Sequence, residues 1–180
     1  MGRTAGILAA VLLLSGCTTT VLETPVPSPV GQLWGNKTLV VADLDEEYRG
    51  AVEDVIARRL PGAESASALP ADAHAEAVWS SLFSKDAVDS VYVWDTLVVF
   101  SLAGGVRHLR SPDGDVLDSS DGYERIDFRV AVFRTADRRE IYGLTIRSKP
   151  GGVALDTFGQ LAQYAADRAG KEVAASGLFR

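Results

Sequence analysis

Apolar residues in this chain come in short runs whose period changes several times, and each change predicts an element. Thr38 to Ala42 (TLVVA) is a continuous apolar run of strand length, suited to burial on both sides. Tyr48, Ala51, Val52, Val55, Ile56 and Leu60 then recur at helical spacing. Asp43 or Asp45 can cap that helix, Glu46 and Glu47 lie favourably in its first turn, and Pro61-Gly62 ends it. Residues 63 to 72 are small and polar and predict a loop, and His74 to Ser84 predict a second, shorter helix carrying Val78, Leu82 and Phe83.

Val91 to Ala103 (VYVWDTLVVFSLA) is the strongest β stretch, apolar on both faces and expected to be central, with Gly104-Gly105 interrupting it. Residues 111 to 122 carry turn chemistry throughout. Beyond them Ile126, Phe128, Val130 and Val132 alternate with Arg125, Asp127, Arg129 and Ala131, and Tyr142, Leu144 and Ile146 form the inward side of a returning strand after a turn at Thr135 to Arg138. This predicts an antiparallel hairpin with one buried face. A last helix is expected from Leu155 to Ser176, with an alanine-rich buried stripe and Gly177 just past its end. The order predicts an α+β fold: a mostly antiparallel sheet with two or three helices packed on it.

The N-terminus has a different character. Arg3 is followed by an apolar stretch from Ala5 to Leu14, of signal-peptide length and too short to span a bilayer comfortably. It runs into Leu14-Ser15-Gly16-Cys17, which resembles the lipobox of bacterial lipoproteins. The small residues before Cys17 let an extended backbone enter a protease, and the thiol is the group that accepts the lipid. Residues 1–16 therefore read as a signal peptide. Residues 17–36 read as an acylated cysteine with a Thr/Pro-rich tether, in which Pro25, Pro27 and Pro29 favour extended backbone, and residues 37–180 as one folded domain. The expected membrane contact is the lipid on Cys17. Thr18 stands where an aspartate would favour inner-membrane retention, so the resemblance implies an outer-membrane lipoprotein facing the periplasm.

Length and charge narrow the function. At 180 residues, 47% hydrophobic and 23% charged, the chain suits one globular domain. A net charge of −6 leaves no basic surplus for phosphates, which argues against nucleic-acid binding. One cysteine excludes an internal disulfide framework, and one cysteine with two histidines offers little for zinc, so no metal or other cofactor is expected.

Two segments carry a further resemblance: the acylated cysteine and proline stretch leading into TLVVAD, and the RIDFRVAVFRTADRREIYGLTIRSK hairpin followed by the alanine-rich helix ending EVAASGLFR. Together they resemble the small periplasmic lipoproteins with a TolB N-terminal-like fold, which include the curli-channel and exopolysaccharide-export lipoproteins and activators of penicillin-binding proteins. The resemblance covers roughly residues 37 to 180. It implies an accessory role in an envelope complex, without catalysis. Val91 to Ala103 lacks the alternating polarity of a membrane barrel strand, which argues against a pore.

Catalytic groupings are not evident. His74 and His108 have no acid or nucleophile spaced for a relay, and Ser80-Ser81 lack a glycine-flanked elbow. Asp113, Asp115, Asp118 and Asp121 depart from calcium-loop spacing and read as a solvated turn. The sharpest feature is Tyr92, Trp94 and Phe100, which would share one face of an uninterrupted strand. Exposed, they would contact an envelope protein; covered, they are core. The expected function is thus a non-enzymatic, membrane-anchored accessory protein acting through protein contacts, with homo-oligomerisation through a sheet face or edge a further option. The competing reading is a lipoprotein that binds a small apolar ligand between sheet and helices.

Overall fold

The computed structural model describes residues 18–22, 37–69, 94–108, 123–149 and 157–179. Among these residues six strands form one sheet: β1 (Thr18–Val21), β2 (Thr38–Asp43), β3 (Ala63–Ser65), β4 (Thr96–His108), β5 (Tyr123–Arg134) and β6 (Arg139–Lys149). Their order is β1-β6-β5-β4-β2-β3. The β1–β6, β5–β6 and β4–β5 pairs are antiparallel, whereas β2 lies parallel to both β4 and β3. Helices α1 (Glu46–Ala57) and α2 (Phe158–Ala175) pack on one face. The α+β architecture expected from the hydrophobic pattern is the one observed.

The hairpin matches its pattern residue for residue. Ile126, Phe128, Val130 and Val132 of β5 and Tyr142, Leu144 and Ile146 of β6 all lie in the core beneath the helices. Phe128 stacks on Phe100 of β4 at 5.0 Å between ring centroids and meets Phe158 of α2 edge-on at 5.9 Å. From α2 come Leu161, Ala162, Ala165, Ala166, Ala169 and Val173, small enough to bring the helix backbone close to the sheet. The helix begins in a reciprocal cap: the Gln160 amide donates to Thr157 Oγ1, and the Thr157 amide donates to Gln160 Oε1. Gly177, at φ 77°, terminates it as expected.

Four expectations change. Thr18–Val21, assigned to the tether, is an edge strand on β6, because its backbone can satisfy the free edge that β6 presents there. The stretch read as loop over 63 to 72 contains β3 and a 3₁₀ turn at Ala66–Ala68. β4 starts at Thr96 rather than Val91 and runs through Gly104-Gly105, where register shifts against β5 and a φ of 102° at Gly104 let the strand bend instead of stop. Asp45 occupies the N-cap of α1 but gives no side-chain cap; its carbonyl accepts from the amides of Tyr48 and Arg49 instead. The second predicted helix, His74 to Ser84, lies outside the described residues.

Glu53, on α1 between Val52 and Ile56, is fully buried and joins three elements. Its Oε1 accepts from the Ala42 amide at 2.9 Å, and its Oε2 accepts from Ser65 Oγ at 3.0 Å and the Ser67 amide at 2.7 Å. β3 pairs only with Thr38–Val40, so Ala42 lies just past its end; Glu53 supplies the acceptor that a longer β3 would have given. Replacing Glu53 by Ala strands the buried Ala42 amide and Ser65 hydroxyl and leaves the Ser67 amide to solvent, and is expected to cost about 3 kcal/mol. Glu53→Gln, which keeps one oxygen acceptor, should cost less, and urea denaturation of the two variants measures the difference.

Candidate functional site

The aromatic set does not form one surface. Phe100 is fully buried on the helix side, against Phe128. Trp94, 8% exposed, belongs to a second cluster on the opposite side with Leu39, Val41, Leu97 and Val99. The alternation that would have placed them together is broken by a bend at Trp94-Asp95. There the Asp95 and Thr96 amides both donate to the Lys37 carbonyl, the Thr135 amide donates to the Asp95 carbonyl, and the Thr135 hydroxyl donates to the Trp94 carbonyl. Strand parity starts only at Thr96. Trp94 is thereby a packing residue where β4 starts. Tyr92 and Cys17 lie outside the described residues, as do His74 and the aspartates at 113, 115, 118 and 121.

The surface that the fold does set apart is the side of β5 and β6 facing away from the helices. The polar half of the hairpin's alternation lies here: Arg125, Asp127, Arg129, Glu140, Arg147 and Lys149. Arg147 makes a two-pronged contact with Asp127, Nε to Oδ1 at 2.7 Å and Nη2 to Oδ2 at 2.8 Å, and Arg129 pairs with Glu140 at 2.5 Å. The Arg147 hydrogen bonds hold the Asp127 carboxyl below the usual carboxylate range, opposed by burial and helped by the charges of Arg147, Arg125 and Lys149. Four cations against two carboxylates make this a basic face on an acidic chain. The alternation Arg-Ile-Asp-Phe-Arg signalled it; its neighbours across the hairpin became visible only with the register.

A groove of about 660 Å³ runs between α1 and α2, lined by Arg58, Arg59, Gln160, Gln163, Tyr164 and Asp167 among others. Its walls mix the charged pair Arg59 and Asp167, which are bonded to each other, with apolar surface that includes Val55. Among the described residues no group of three or more His, Cys, Asp or Glu side chains could hold a metal, and no helix is long and apolar enough to cross a membrane.

No family model matches the chain, and no characterised relative matches its sequence. Solved structures do match in fold. A PelC dodecamer from Paraburkholderia phytofirmans is 12% identical, with a TM-score of 0.50 over 91% of this chain and 99% of that one. A single-substitution form of the same dodecamer gives 0.47 over the same coverage at 12% identity. Protein XCC0632 from Xanthomonas campestris, assigned to family model DUF330, is 17% identical, with a TM-score of 0.31 over 86% and 89% of the two chains. At 12% identity and a TM-score of 0.50, the likeness to the first of these is one of fold alone.

Because the folded pKa of Asp127 is depressed, its contribution to stability is present above the ordinary aspartate pKa of about 4 and is lost as pH falls through the lower folded value. Asp127→Asn should therefore cost on the order of 1 kcal/mol at pH 7, and the gap from wild type should close progressively as pH falls below about 4. Urea midpoints of both proteins across that range test this; a gap independent of pH would show that the pair contributes by shape alone.

Proposed function

We propose that this chain is a non-catalytic lipoprotein of the bacterial cell envelope, anchored by an acylated Cys17 in the outer membrane and facing the periplasm. In this reading it serves as an accessory component of an export complex of the exopolysaccharide type, acting through contacts with another envelope protein and with copies of itself. The observation that carries the proposal is the Leu14-Ser15-Gly16-Cys17 sequence. The only cysteine of the chain follows an apolar stretch at the one position where lipoprotein processing would use it.

The fold supports the same reading. PelC, an exopolysaccharide-export lipoprotein, shares the architecture over most of both chains, and its assembly as a dodecamer supports self-association here. The domain offers partners a charged sheet face and a groove of mixed charged and apolar lining, while Trp94 and Phe100 are committed to packing.

Metabolic labelling with an alkyne fatty acid in a Gram-negative host tests the anchor. Wild type should take up label and fractionate with membranes, and Cys17→Ser should do neither while folding normally. An unlabelled wild-type chain, or label retained in Cys17→Ser, overturns the reading. Light scattering of the detergent-solubilised protein should report a multiple of the chain mass; a monomer at all concentrations removes the self-association part.

A further inference from the structure

We propose that the domain is held against the bilayer without a spacer, seated on phospholipid headgroups by the end of the sheet where β6 finishes and β1 begins. The inference rests on acylation of Cys17 as proposed above. Its structural basis is the register of β1. Thr18 is already in the sheet, opposite Lys149, and Cys17 is bonded directly to Thr18. Opposed strand residues are about 5 Å apart, and consecutive Cα atoms about 3.8 Å, so the acylated residue lies within roughly 9 Å of the Lys149 backbone. Residues 23–36, with their prolines, join β1 to β2 and do not separate membrane from domain.

The chemistry beside that attachment point suits phosphate. Lys149, Arg147 and Arg125 surround a single carboxylate, Asp127, whose charge is already matched by Arg147. Among the described residues neither Lys149 nor Arg125 is bonded to a carboxylate, and Lys149 is exposed. Guanidinium and ammonium groups within side-chain reach of an acylated residue meet headgroup phosphates without further movement of the domain. The attraction comes from the β5–β6–β1 face together with the anchor. The 11 residues of β6 span about 34 Å, which puts the turn at Thr135 to Arg138 far from the bilayer.

The acylated protein would have no free thiol, so introduced cysteines can be labelled singly. Fluorophores at Lys149→Cys and Ala136→Cys, in full-length acylated protein reconstituted into vesicles containing headgroup-nitroxide lipid, report proximity to the membrane. Strong quenching at position 149, with none at 136, is the expected result. No quenching at either position means a domain hanging from a spacer, and equal quenching at both means a sheet lying flat; each overturns the proposal. A failed anchor shows separately, as protein that does not float with vesicles, and removes this inference with it.

Discussion

The two faces of the β5–β6 hairpin differ in chemistry, and the rest of the domain is arranged around that difference. Ile126, Phe128, Val130 and Val132 must leave water together, because strand geometry puts them on one side. At about 25 cal/mol per Å² of apolar surface removed from water, covering those side chains and their partners on β6 is the largest favourable contribution available to a domain of this size. Among the described residues α1 and α2 supply the apolar stripes that cover them, and the alanines of α2 let it approach closely. The other half of the alternation is then left on the opposite side of the same strands, where Arg147 and Asp127 pair across the register.

A second constraint acts where the antiparallel and parallel halves of the sheet join. β2 is longer than β3, so its last amides have no strand partner on that side. The fold resolves this with a side chain: Glu53, carried inward on the buried face of α1, accepts from β2, from β3 and from the 3₁₀ turn at once. A carboxyl group that bonds three donors fixes the helix against the strand end with a directionality that apolar packing lacks. The same side chain without its donors would be among the costliest to bury.

For function, the consequence is that the fold hides Trp94 and Phe100, two of the three aromatic residues that the linear sequence displays. Phe100 is committed to the stack beneath the helices and Trp94 to a separate cluster at the start of β4. Among the described residues, what remains for contact includes a basic sheet face on β5 and β6 and a groove between the helices with both charged and apolar lining.

Elements whose periodicity is long and regular were legible in the chain alone: the hairpin, α1, the alanine-striped α2 and hence the α+β class. In each, local spacing and burial agree. Whatever depends on a partner strand was settled in three dimensions. Four threonine-rich residues became β1 because β6 had an open edge, and Gly104-Gly105 stayed in β4 because β5 accommodates the bulges. The face that Trp94 occupies was set by hydrogen bonds that tie Trp94, Asp95 and Thr96 to Lys37 and Thr135, both remote in sequence, and one bend was enough to reverse the parity. Glu53 was unreadable for the same reason: an acidic residue on a helix reads as solvent-facing until the unpaired amides that it satisfies are in place beside it.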